Sequence, residues 1–142
     1  MTSRADKFTK NPVNPEIIYS DFTPNLDVHP DTGDLFKITN LNAIKRSLKN
    51  LILTNTYERF YQPDVGGNIY KDLFENGTQD VLYAIQKRLQ NQIQLFEPRV
   101  TLQQVTIDNS QIDNNKINIT LIYQVNRIPG LQNLFIPITR VR

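Results

Sequence analysis

A chain of 142 residues can build one hydrophobic core, and 39% apolar with 21% charged residues is the balance of a globular protein. No stretch approaches the ~20 consecutive apolar residues that a bilayer crossing needs, and the opening residues have no apolar run of the kind a secretory signal carries. Sixteen Lys and Arg against 14 Asp and Glu leave a net charge of +2, too weak and scattered a field to argue for nucleic acid. With no Cys, disulfides and thiolate metal sites are excluded, and the single His29 with unclustered carboxylates argues against a metal or a metal cofactor.

Residues 1–16 hold Arg4, Lys7, Lys10, Pro12, Pro15 and little apolar content, which reads as an extended N-terminal arm ahead of a single domain over residues 17–142. Ile17, Ile18, Tyr19 and Phe22 can supply an extended segment, and Pro30, Asp31, Thr32 and Gly33 a turn. A short returning strand is expected over Leu35–Thr39. Asn40 then offers an N-cap, and Leu41, Ile44, Leu48, Leu51 and Ile52 recur at helical spacing, with Lys45, Arg46 and Lys49 between them.

A long loop follows, with a short helical turn expected around Ile69 to Phe74. Gln62-Pro63-Asp64 and Gly66-Gly67 are turn chemistry, and the glycines lack the Lys-Ser/Thr that a phosphate loop requires. Thr78 is an N-cap candidate for a second helix, with Asp80 in the first turn where the dipole favours an anion. Leu82, Ile85, Leu89, Ile93 and Phe96 mark its buried face. Pro98 stops it and drives Glu97 towards an extended conformation.

Three strands are expected beyond this joint. Val100 and Leu102 alternate, slip by one at Gln103-Gln104 as a β-bulge would produce, and resume at Val105 and Ile107. Ile117, Ile119, Leu121, Tyr123 and Val125 alternate against polar residues as a strand with one buried face. A turn at Ile128-Pro129-Gly130 precedes a last strand over Leu134–Arg142, and Pro137 in its middle marks an edge. The fold class is α+β, with two main helices on one face of a small, mostly antiparallel sheet.

Enzyme chemistry would have to rest on carboxylates near loops: Glu58, Asp64, Glu75, Asp80 and Glu97. A glycosidase needs two carboxyls about 5–9.5 Å apart. A second helix of about 18 residues, ~27 Å long, separates Glu75 from Glu97, and no Trp offers a sugar platform. The joint Glu97-Pro98-Arg99 has two readings: a helix stop with a local surface ion pair, or an acid and a base on one side of a proline-stiffened segment, available to a partner.

Taken together and in this order, YSD (Tyr19 to Asp21), AIKRSLKNLI (Ala43 to Ile52), QPDVG (Gln62 to Gly66), DLFENGT (Asp72 to Thr78) and FEPRV (Phe96 to Val100) resemble the baseplate wedge subunit of contractile phage tails. The family includes a baseplate subunit of type VI secretion systems and was for a time labelled lysozyme-like. The resemblance runs from about Tyr19 to the C-terminus and implies a structural protein, not an enzyme, with no cofactor. It implies that Glu97, Pro98 and Arg99 dock on the core bundle of neighbouring wedge proteins. It implies also that an edge strand with Leu134, Phe135, Ile136, Ile138 and Thr139 is offered to the first ring of the tail sheath protein. The tail tube would lie close by, with no nucleic acid, membrane or small-molecule substrate as partner. Such a protein would reside in the virion tail baseplate after assembly in the host cytoplasm. Between a phage tail and another contractile injection system the residues leave the choice open.

Overall fold

The computed structural model describes residues 16–72, 78–110 and 116–139. Most of the expected arm, with Glu75, Arg140 and Arg142, lies outside the described residues. A first antiparallel pair joins β1 (Ser20–Phe22) to β2 (Lys37–Thr39), with Ser20 opposite Thr39. The chain passes directly from β2 into helix α1 (Asn40–Leu53). Ala43, Ile44, Leu48, Leu51 and Ile52 form its buried stripe, which matches the 3.6-residue period of their spacing.

Asn40 does not cap this helix. Thr39 occupies the N-cap position, and Asn40 takes a left-handed φ of +49°, which Asn tolerates better than most residues. Its side chain turns away instead. Asn40 Oδ1 accepts the backbone N–H groups of Ile18 (2.9 Å) and Tyr19 (3.3 Å), while Nδ2 donates to the Glu16 carbonyl at 3.0 Å. One side chain thus clasps the segment that precedes β1.

After the loop, α2 (Ile69–Asp72) is a single turn, and α3 (Gln79–Phe96) follows Thr78, with Asp80 in its first turn as expected. Leu82, Ile85, Leu89 and Ile93 are its buried face. The main sheet is an antiparallel meander of β3 (Val100–Asp108), β4 (Lys116–Val125) and β5 (Leu131–Thr139), in that spatial order. The register slips between Leu102 and Gln104, so Gln103 is the bulged residue. β5 starts at Leu131, earlier than its hydrophobic run suggests, because Gly130 (φ +100°) completes the turn and lets pairing begin at once, Leu131 opposite Gln124. Pro137 lies opposite Asn118 in β5, which has no neighbour on its other side among the described residues.

Every second residue of β4 from Ile117 to Val125 is buried, and Val105, Ile136 and Ile138 extend the same inner face. Against it pack α1 and α3, so helices cover one face of the sheet and a single cluster contains Ile44, Leu48, Leu89, Ile93, Leu121 and Tyr123. Each buried Leu or Ile contributes about 1.5–3 kcal/mol relative to exposure, and this cluster holds in place the middle of α1 and the end of α3, which frame the joint.

Candidate functional site

The C-terminus of α3 and the first residue of β3 are joined by a tight reversal. The Glu97 amide still donates to Ile93 O (2.9 Å), and the Val100 amide donates to Glu97 O (3.1 Å). The reversal turns the Glu97 side chain inward, where the residue is only 2% exposed. Arg99 folds back over it: Nε donates to Oε1 at 2.5 Å and Nη2 to Oε2 at 2.7 Å, the bidentate fork that a guanidinium makes with a carboxylate. Ser47, from the middle of α1, donates its hydroxyl to Glu97 Oε2 and accepts from Arg99 Nη2 at 3.2 Å. The Tyr19 ring lies 5.5 Å from the guanidinium carbon, in cation–π range.

Burial alone would raise the Glu97 pKa, but the hydrogen bonds and charge of Arg99, with the Ser47 hydroxyl, outweigh it and hold the carboxyl below its usual range. The same carboxylate raises the Arg99 pKa against the opposing effect of burial. Both groups are therefore ionised at neutral pH. Asn126 secures the outside of the turn: its amide N–H donates to Arg99 O (2.9 Å) and its Nδ2 to Pro98 O (3.1 Å), while Tyr19 Oη donates to the Asn126 carbonyl at 3.2 Å. Segment 16–19, α1, the end of α3 and the β4–β5 turn all converge on three residues.

The geometry separates the roles of the trio. Glu97 and Arg99 do share one side of the chain, and for that reason they neutralise each other instead of both facing outward. The pair is not a surface ion pair either, since its acid is buried. What remains accessible is the Pro98 ring and the outer part of Arg99, whose side chain is 39% exposed.

In β5, Ile136 and Ile138 belong to the core and Leu134 packs against it, so their side chains are committed inward. Phe135 and Thr139 project from the opposite face and are exposed, and the outer backbone edge of the strand has no partner among the described residues. Of the other carboxylates considered, Glu58, Asp64 and Asp80 are exposed. His29 lies in the β1–β2 connection with its ring 5.0 Å from that of Phe36.

Sequence reasoning treated the segment after α1 as a long loop, and its order went unseen. Gly66 and Gly67 are buried against the last turn of α1. A Cβ on Gly66 (φ +145°) would meet the Thr54 carbonyl oxygen at 2.5 Å, and one on Gly67 the Ile52 carbonyl oxygen at 2.5 Å. Close backbone approach, not phosphate binding, requires both glycines. Gln92 of α3 accepts from the Gly66 amide (3.2 Å) and donates to Asp64 O (3.1 Å), and the Tyr57 amide donates to Pro63 O at 2.8 Å. From this pinned base the loop holds Phe60 and Tyr61 outward, 98% and 99% exposed. The signal was present in the sequence as three aromatics within a turn-rich stretch with no periodicity to bury them.

Residues 39–129 match the family model of baseplate wedge protein gp25. The chain belongs to this family. It is 28% identical to baseplate wedge protein gp25 of Enterobacteria phage T4 over 83 residues, 58% of this chain and 62% of that relative's length. Among solved structures it is similar to a Geobacter sulfurreducens protein described as a tail lysozyme, with a TM-score of 0.63 and 25% identity over 71% of this chain and 91% of the other. The fold also matches a chain of the anti-feeding prophage baseplate, with a TM-score of 0.59 and 24% identity over 84% of this chain and 83% of that one. All the residues of the Glu97 site except Tyr19, which lies against Arg99, fall within the matched span. The chain is thus a member of the baseplate wedge protein gp25 family.

Proposed function

We propose that the protein is a structural wedge subunit that docks on neighbouring wedge proteins through the face around Pro98 and Arg99 and begins sheath assembly with the free edge of β5. Glu97 acts from behind, holding the guanidinium. The observation that carries this reading is the degree to which Arg99 is fixed: a bidentate carboxylate, a hydroxyl and an aromatic ring constrain a side chain that is still partly open to solvent. A side chain ordered before binding loses little entropy when a partner engages it. A fully local ion pair would not need three elements around it.

On this reading the partners are other wedge proteins and the tail sheath protein, beside the tail tube, in the virion baseplate. Residues 17–142 act as one domain, and the arm reaches a neighbour. Many copies per particle make modest single contacts sufficient through avidity. A non-phage contractile injection system would use the same contacts, and tail-fibre and capsid genes nearby, or an ATPase and membrane-complex genes, distinguish the two.

The lysozyme description of one structural relative does not suit Glu97. A glycosidase acid needs a raised pKa and access to a glycosidic oxygen, whereas this carboxyl has a lowered pKa and is covered by Arg99 and Ser47.

The test is binding to co-expressed wedge proteins by the parent and by Arg99→Lys, which keeps the charge and loses the planar fork. A folded Arg99→Lys that binds at least tenfold more weakly supports docking through this face. Equal binding overturns it. For the sheath contact, a cross-link between β5 and the first sheath ring, and its loss when charged residues are placed at Phe135 and Thr139, is the expected result.

A further inference from the structure

The loop between α1 and α2 carries two features that the docking face around Arg99 does not use. Phe60 and Tyr61 are almost wholly in water, although their loop is tied to α1 and α3 by backbone hydrogen bonds, two buried glycines and Gln92. A large apolar side chain that is exposed on a fixed loop is the kind that dominates interface energetics once covered. The loop is also next to the Glu97 site: Arg59 and Gln62 line a cleft of about 140 Å³ together with Ser47, Leu51, Phe96 and Glu97.

The charges around this cleft are unequal. Glu97 is neutralised by Arg99. Glu58 is turned back on the loop base, where Oε2 accepts from the Asn55 amide (2.9 Å) and Oε1 from Asn55 Nδ2 (2.6 Å). Arg59 has no ion pair among the described residues, and it borders the cleft beside two exposed aromatic side chains.

We infer that the Arg59–Tyr61 loop is a second docking element, continuous with the Arg99 face, and that it receives a protein surface carrying a carboxylate flanked by apolar side chains. The carboxylate pairs with Arg59 at the mouth of the cleft, and the apolar side chains cover Phe60 and Tyr61. This inference rests on the wedge-docking reading and names the chemistry of the partner at that same face. The pairing is short-ranged and partly desolvated, so its loss should appear chiefly as faster dissociation.

The test compares four full-length proteins against the co-expressed wedge proteins: parent, Phe60→Ser/Tyr61→Ser, Arg59→Glu and Arg99→Lys. Because the loop positions are exposed, thermal unfolding of the loop variants should match the parent. The expected result is at least a tenfold loss of affinity for each loop variant, with an Asp or Glu on the partner whose change to Arg restores binding to Arg59→Glu. If Arg99→Lys loses binding and both loop variants keep it, the docking reading stands and the loop inference fails. If the loop variants lose binding and Arg99→Lys keeps it, the loop is the docking element and the Arg99 face is not. If the parent ignores the wedge proteins and instead dimerises by sedimentation equilibrium, with Phe60→Ser/Tyr61→Ser monomeric, the occupant is a second copy and the inference is overturned. Failure of the parent to bind, without dimerisation, overturns it as well.

Discussion

The Arg99 guanidinium closes over the Glu97 carboxylate through two parallel hydrogen bonds of 2.5 and 2.7 Å, with the acid buried and the base half in water. This asymmetry makes the two residues unequal under mutation. Removing Arg99 strands an anion in the interior, whose loss of a partner costs about 3–5 kcal/mol in a fully buried pair. The 39% exposure of Arg99 admits solvent that screens the remaining charge, so Arg99→Ala should cost about 2 kcal/mol. Adding Glu97→Gln to that variant removes the stranded charge and should recover part of the loss. Urea denaturation midpoints of the three proteins check this; a double variant weaker than Arg99→Ala alone would show that the carboxylate is not the liability.

The same pair predicts a pH dependence of stability. The folded pKa of Glu97 lies below its unfolded value, so its contribution is complete above the ordinary glutamate range, near pH 4.5, and declines as pH falls through the folded pKa. Arg99 does not titrate in any accessible range. Exposed Glu58 and Asp108 also have lowered pKa values, from hydrogen bonds to Asn55 and Ser110 respectively, and contribute to the same acid limb. The Glu97 share is isolated by comparison: parent and Glu97→Gln should differ most in stability above pH 5 and converge on acidification. Parallel curves from pH 7 to pH 3 would show that Glu97 titrates alike in the folded and unfolded chain.

The helices and the bulge were legible because they depend on local period. Leu82, Ile85, Leu89 and Ile93 announce a buried stripe whatever the rest of the chain does, and the slip at Gln103 breaks an alternation that is visible residue by residue. The direction of Glu97 was not legible. It is decided by Ser47, fifty positions earlier, and by a reversal that puts the 97 and 99 side chains in contact. Asn40 misled for a related reason: a good N-cap residue is also a good clasp, and segment 16–19 competes successfully for its carboxamide.

Gly66 and Gly67 provide a test of whether the aromatic loop depends on its base. Ala at either position drives a Cβ to within 2.5 Å of a backbone oxygen of the α1 terminus, and Gly66 also has a positive φ. Backbone atoms cannot yield as a flexible side chain can. Each substitution should cost more than about 2 kcal/mol, whereas Gly33→Ala, at φ +70° in open space, should cost only about 1 kcal/mol. Thermal or chemical denaturation separates the two classes. In the Gly67→Ala protein, faster amide exchange at Tyr57 and Val65 would further show that the loop has come loose from the helix.

Tyr123 offers a substitution expected to help. It is fully buried on the inner face of β4, its hydroxyl has no hydrogen-bond partner among the described residues, and burial pushes its pKa up to about 12. An unsatisfied buried hydroxyl costs about 1–3 kcal/mol, while deleting one oxygen from a packed ring leaves a void smaller than a methyl group. The first effect is the larger, so Tyr123→Phe should leave stability unchanged or raise it by up to about 1 kcal/mol, with binding to wedge proteins intact because the side chain is fully buried in the core. A rise in the urea midpoint at constant m-value is the expected reading. A fall of more than about 1 kcal/mol would mean that the hydroxyl is satisfied by a buried water, which Phe would leave without its partner.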